Sequence, residues 1–393
     1  TVRSSFVHRA FRAQRRHGKG LHVIIYCYLP ALSLLNILSS SGEILYSTIA
    51  DMGIQHWGST IPTCFATCSI QTISGVALPE KLRAIHEAGF GAIELGMSDL
   101  LAYGKELYGE ATDVYDLDKI VKIAEVVKSI AGSLGLKILS LKPFGKFEGW
   151  KPGLSNKERD DAFTRARGWL EVMEAAGTDM LQLYSSNAEE ITPLYDDLTK
   201  DLVELADIFA KRGFRIAFSI HCRAPYTSTW ETIWEIVKEA DRPNLGLCLN
   251  TFEIAAGEYA DPTTKSGLVE ELSRVELESR WWRSLTALTH TVPARSIYIL
   301  QVSDAYKMNP PMEEKNRQRD QPARSRWSDG YRPQPSDGGY LPVHIILRAI
   351  FQTGFKGWLS MEVFDIKESE GNFDVRDFTK SVMMSLEKTL LFS

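Results

Sequence analysis

Between Ile61 and the C-terminus, short apolar runs and amphipathic stretches alternate eight times, and few folds accommodate that rhythm. The strand-like runs are Ile61–Ser69, Phe90–Leu95, Leu136–Leu141, Met180–Leu183, Phe214–Ile220, Leu245–Leu249, Ser296–Val302 and Trp358–Val363. The helical stretches are Leu78–Ala88, Asp116–Leu134, Lys157–Ala176, Leu194–Lys211, Thr229–Ala240, Gly267–Leu288, Tyr340–Thr353 and Val375–Leu391. Glycine stands just after five of them, at Gly89, Gly135, Gly177, Gly213 and Gly354, where a helix end needs a left-handed residue. Eight such units predict an α/β fold, a closed (β/α)₈ TIM barrel over residues 61–393. An open doubly wound sheet is the competing arrangement. No GxGxxG follows the first strand, which speaks against a dinucleotide-binding version.

Composition removes some functions. The chain has 393 residues, 44% of them hydrophobic, and a net charge of −5. Its main body has no basic surplus, so nucleic acid is not an expected partner. The five cysteines (Cys27, Cys64, Cys68, Cys222, Cys248) are odd in number and form no CxxC pair. They read as buried, reduced thiols of a cytoplasmic protein. Residues 1–60 stand apart as an N-terminal extension. Arg3, Arg9, Arg12, Arg15, Arg16 and Lys19 precede the apolar run Leu21–Leu38, which Pro30 and Asn36 interrupt. Three readings stay open: an extension foreign to the natural protein, whose barrel would need nothing before Met52; a membrane anchor or targeting segment; or an accessory element.

In a barrel, function gathers on the loops that follow the strands. The residues ending the strands are Glu94, Lys142, Gln182, Ser219, His221, Asn250, Gln301 and Glu362, with Glu253 just beyond the sixth. Period two puts Ser219 and His221 on one strand face. Glu, His, Gln and Asn converging there would suit an oxygen-liking dication; Glu94 reads equally as a structural hydrogen-bond partner and Lys142 as a surface ion pair. The seventh loop, Ser303–Gly339, is unusually long and carries Arg317, Arg319, Arg324, Arg326 and Arg332. It reads as a lid or binding loop whose arginines fork onto a carboxylate or phosphate. Tyr226, Glu94, Arg326 and Arg332 are the expected substrate contacts.

From Ile61 to about Asp365 the chain resembles the fungal 3-dehydroshikimate dehydratase-like proteins of the xylose isomerase-like, sugar-phosphate isomerase/epimerase barrel superfamily. The stretches that carry the resemblance are IPTCFATCSI, AGFGAIELGMSDLLAYGK, RARGWLEVMEAAGTDMLQ, DRPNLGLCLNTFEIAAGEYADPTTKSGL, YILQVSDAYK, RWSDGYRP, DGGYLPV and GWLSMEVFD. The resemblance implies a divalent metal held by a Glu, an Asp, a Gln and a Glu at the ends of strands five to eight. Gln301 and Glu362 match the last two. Ser219 and Asn250 stand where the Glu and Asp are implied, and IHCRAPYTSTW departs from the usual stretch after strand five.

Losing two carboxylates weakens any hard-cation site. Three expectations follow. One is a dehydratase or isomerase that removes a proton next to a carbonyl on a small oxygenated substrate, with weakened or absent metal dependence. His221 or Glu253 would then be acid or base, and Lys142 or Arg223 would stabilise the oxyanion. Another is a rebuilt site of His221, Glu253, Gln301 and Glu362 holding Mn, Co, Mg or Zn weakly. The third is a non-catalytic barrel that binds a ligand or partner. The resemblance also implies a homo-oligomer as one possible assembly.

Overall fold

The computed structural model describes residues 61–70, 75–150, 157–188, 191–316, 319–366 and 373–393. The basic and apolar run ahead of residue 61 lies outside them. Among the described residues, no helix is long and apolar enough to cross a membrane.

Twelve strands are formed among the described residues. They are β1 (Thr63–Ala66), β2 (Ala92–Gly96), β3 (Lys137–Phe144), β4 (Met180–Tyr184), β5 (Arg215–Ser219), β6 (Leu245–Asn250), β7 (Ile297–Val302), β8 (Lys315–Asn316), β9 (Arg319–Pro322), β10 (Tyr331–Arg332), β11 (Trp358–Met361) and β12 (Phe364–Asp365). Strands β1–β7 and β11 close into a parallel barrel in the order β1-β11-β7-β6-β5-β4-β3-β2. The helices are α1 (Leu78–Glu87), α2 (Met97–Tyr108), α3 (Leu117–Ser133), α4 (Lys157–Ala176), α5 (Tyr195–Ala210), α6 (Trp230–Ala240), α7 (Thr251–Glu258), α8 (Arg274–Thr291), α9 (Ala323–Gly330), α10 (Val343–Gln352) and α11 (Val375–Leu390).

Local chemistry explains the boundaries. Helix α3 starts where the Asp116 side chain accepts from Lys119 N at 3.2 Å. It buries Ile120, Ile123, Ala124, Val127 and Ala131, the one-sided spacing of a helix packed on a sheet. Ser273 and Glu276 open α8 with a reciprocal capping box. All five glycines read as helix stops have positive φ, from 71° at Gly135 to 96° at Gly89.

Two layers of side chains share the barrel interior. Cys64, Ala92, Leu139, Met180, Ala217, Cys248 and Ile299 form a small apolar plug. Two residues further along five of those strands stand Glu94, Gln182, Ser219, Asn250 and Gln301, all fully buried. Period two therefore stacks a polar layer on the apolar one, at the C-terminal end of the barrel.

Three expectations need correction. The segment Ser303–Gly339 is not a bare loop, because it contains the β8–β9 hairpin, α9 and β10. Trp327 of α9 is fully buried, stacks edge-on against Phe252 at 4.9 Å and donates to Tyr306 O at 2.9 Å. Helices α2 and α7 were not foreseen: each begins immediately after its strand, with no polar linker to signal it. The helix expected over Gly267–Leu288 begins only at Arg274.

Candidate active site

Lys142 leaves β3 and turns into the barrel mouth, where it is 2% exposed. Its ammonium lies 3.0 Å from Glu94 Oε2 and donates to Glu362 Oε1. Arg332, also 2% exposed, donates from Nη2 to the other Glu362 oxygen and from Nε to Ser303 Oγ at 2.9 Å. The rings of Phe252 and Phe364 hold its guanidinium at 4.6 and 4.8 Å. Such stacking favours Arg over Lys at this position. Strand β10, which carries Arg332, pairs with β12 just beyond Glu362, so a short ladder straps the arginine over the mouth.

Amides complete the layer. Gln182 and Gln301 both donate to Glu94 Oε2, at 2.7 and 2.8 Å, while Gln301 Nε2 also reaches Gln182 Oε1 at 3.3 Å. Glu94 Oε1 has no hydrogen-bond partner among the described residues. Asn250 caps α7: its Oδ1 accepts from Phe252 N at 2.9 Å and from Glu253 N at 3.3 Å. The cap fixes which way the amide points. Its Nδ2 therefore faces the site, donating to Gln301 Oε1 at 2.9 Å and Glu362 Oε2 at 2.8 Å. Tyr184 OH adds a donor to Glu362 Oε1 at 3.2 Å.

The charges follow from these contacts. Burial alone would raise the Glu362 carboxyl, but Lys142 and Arg332 outweigh it and bring it down to about 2. Burial alone would lower Lys142, but the negative charges beside it, Glu362 and Glu94 among them, outweigh that and it stays an ammonium. Two buried cations thus face two buried carboxylates.

His221 and Arg223 form a second group on the loop after β5. Arg223 Nη2 lies 2.9 Å from His221 Nε2, and Arg223 Nε lies 3.3 Å from Nδ1. Burial pushes His221 down to about 4, so the ring is neutral at ordinary pH and has one acceptor nitrogen for this fork. Ser185 Oγ accepts from His221 N at 2.9 Å, and Tyr184 packs edge-on to the imidazole at 6.2 Å. Glu253 Oε2 accepts from Cys222 N at 2.7 Å.

The structure thus assembles Glu94, Lys142, Asn250, Gln301, Arg332 and Glu362 into one cluster, with Gln182 and Tyr184. Tyr184 was not singled out in the sequence, although its place at the end of β4 was a signal. Ser219 sits beside it in register at the end of β5, its hydroxyl 3.5 Å from Ile220 O. Tyr226 is 38% exposed. Arg326 is spent on the carbonyls of Gln321 and Glu313, and Arg324 on Ala256 O, Ala260 O and Asp261. Arg317 and the side chain of Arg319 lie outside the described residues.

The donors present do not fit a dication. Of the four implied ligand positions, one carries a carboxylate, and both its oxygens already accept from an ammonium, a guanidinium, a phenol and an amide. Asn250 offers nitrogen where oxygen is needed. Glu253 and His221 are engaged with Cys222 N and Arg223 instead of closing on Gln301 and Glu362. Among the described residues, no three His, Cys, Asp or Glu side chains group to hold a metal ion. A dication about 4 Å from Lys142 would meet roughly 8 kcal/mol of repulsion at an effective dielectric constant of about 20.

A barrel of this order, with polar strand ends under a long seventh loop, defines a class, and the family model described as xylose isomerase-like TIM barrel matches residues 82–381. The chain belongs to that family. Among its relatives, the 3-dehydroshikimate dehydratase of Neurospora crassa is 29% identical over 309 residues, covering 76% of this chain and 84% of that protein. The Pseudomonas aeruginosa 3-dehydroshikimate dehydratase is 28% identical over 324 residues, 82% of this chain and 42% of that protein, so the chain spans less than half of the bacterial relative. These relatives are lyases, and the chain stands among enzymes of that kind. Two solved structures share the fold at a TM-score of 0.61 each. One is a xylose isomerase-like TIM barrel/4-hydroxyphenylpyruvate dioxygenase fusion protein, at 24% identity, covering 84% of this chain and 42% of that one. The other is the IOLI protein with a bound zinc atom, at 18% identity, covering 85% and 99%.

Proposed function

We propose that the chain is a dehydratase- or isomerase-type enzyme that removes a proton next to a carbonyl on a small oxygenated acid of the shikimate type. The observation that carries this reading is the convergence of two buried cations, Lys142 and Arg332, at the strand ends of a barrel similar to 3-dehydroshikimate dehydratases. When the carbon–hydrogen bond breaks, its electron pair moves onto the carbonyl oxygen. An ammonium and a guanidinium held in a low-dielectric mouth stabilise that oxyanion by sharing with it the charge they now give to Glu362. Neutral His221 is the base that accepts the proton, on the nitrogen that Arg223 gives up when substrate binds. In the dehydratase branch the electron pair returns to expel hydroxide from the neighbouring carbon, and a donor such as Tyr184 or the newly protonated His221 supplies the proton that makes it water. In the isomerase branch the enolate is reprotonated instead.

The test is turnover of 3-dehydroshikimate by the full chain, followed spectrophotometrically. The expected kcat/KM profile rises through about pH 4, where His221 loses its proton, and not near its ordinary value. His221→Gln is expected to cost about 10²- to 10⁴-fold. No turnover, together with no thermal shift from shikimate-type acids, removes this reading. A shift without turnover favours the reading as a ligand-binding barrel, which the complete pairing of Glu362 supports.

A further inference from the structure

The misfit between this mouth and a dication has a definite cause. We propose that Lys142, seconded by Arg332, is a built-in replacement for the metal, and that Lys142 itself bars divalent cations from the site. Three observations carry this. Glu362, the one carboxylate left at the four implied ligand positions, is held on one oxygen by Lys142 and on the other by Arg332. The same ammonium also neutralises Glu94, which lies outside those four positions. At the two positions where carboxylates are implied stand a hydroxyl near its own backbone and an amide N–H, neither of them an anionic oxygen donor for a metal. Two unit cations against two carboxylates leave the buried cluster neutral. A dication entering it would add two positive charges unless Lys142 withdrew.

The inference concerns binding and stands apart from the reaction proposed above. It predicts an asymmetry: putting the carboxylates back is not sufficient to restore metal binding, and the lysine must also go. The probe is MnCl₂, with bound metal measured by equilibrium dialysis and free Mn²⁺ read by its electron paramagnetic resonance signal. Three proteins are compared: the full chain, Ser219→Glu/Asn250→Asp, and the same pair with Lys142→Gln. At about 0.1 mM Mn²⁺ the unaltered chain is expected to hold less than about a tenth of an equivalent, since hard dications depend on anionic oxygen donors. Adding Lys142→Gln to the carboxylate pair is expected to tighten Mn²⁺ by at least about tenfold, removal of one nearby unit charge being a large change in a buried site. Near one equivalent in the unaltered chain overturns the proposal, as does an Mn²⁺ affinity of the carboxylate pair that ignores Lys142→Gln. If the triple variant does not give a cooperative thermal melt, Arg332→Gln in the carboxylate pair replaces it, with tightening expected again and no change counting against the proposal.

Discussion

Glu362 and Glu148 are both buried on loops at the C-terminal end of the barrel, yet their carboxyl groups are shifted in opposite directions, so that at neutral pH Glu362 is fully ionised and Glu148 is close to half protonated. Glu362 is held by Lys142 and Arg332 and falls to about 2. Glu148, on the loop after β3, accepts from Ser186 N and from its own backbone N–H; among the described residues it has no cation beside it and its Oε2 has no partner. Burial therefore pushes it up to about 7, with the Ser186 amide pulling weakly the other way. Depth alone does not set the charge of a buried acid; the partners do.

The largest expected break in this comparison is Lys142→Met. It leaves Glu94 and Glu362 without their shared cation and should cost about 3–5 kcal/mol at pH 7 by urea unfolding. The gap to the unaltered chain should narrow as the pH is lowered and Glu362 takes up a proton. A loss under about 1 kcal/mol would mean the ammonium does not govern Glu362.

The two acids should also act with opposite signs on stability against pH. Glu362, with its folded value below the ordinary 4.5, contributes stability that is full above about pH 4.5 and is lost as pH falls toward about 2. Glu148, with its folded value raised, contributes stability that is full below about pH 4.5 and is lost as pH rises through about 7. Glu148→Gln should thus match the unaltered chain near pH 4 and exceed it by up to about 3 kcal/mol at pH 8. A constant offset across that range would place no titration at Glu148.

The smallest effect tests the arginine's clamp. Phe252→Leu keeps most of the apolar contact but removes one face of the guanidinium sandwich, and should cost about 1 kcal/mol. The same change should loosen Arg332 enough to raise hydrogen exchange at β10 and β12 relative to the barrel strands.

The barrel was legible because its signals are local and repeat: apolar runs of strand length, helical periodicity, and glycine where a left-handed residue ends a helix. Their places at the strand ends also put Glu94, Gln182, Asn250 and Gln301 among the candidate residues. What the sequence did not show was direction and choice. Asn250 stood where the resemblance implies an aspartate, but its oxygen is committed to the backbone of α7, a helix that follows its strand with no linker to signal it. Arg332 was singled out together with Arg326 from five arginines in a segment without clear periodicity, and nothing in that segment told the two apart. The selection of Arg332 depends on the β10–β12 pairing and on Phe252 and Phe364, which come from distant parts of the chain. Glu148 had no pattern around it, and only its burial distinguishes it.

The β10–β12 ladder has a kinetic consequence. Arg332 and its strap cover a layer with almost no exposed surface, so a ligand reaches Lys142 only after that ladder parts. The observed rate of binding should therefore level off as ligand concentration rises, at the frequency with which the strap opens, instead of climbing in proportion.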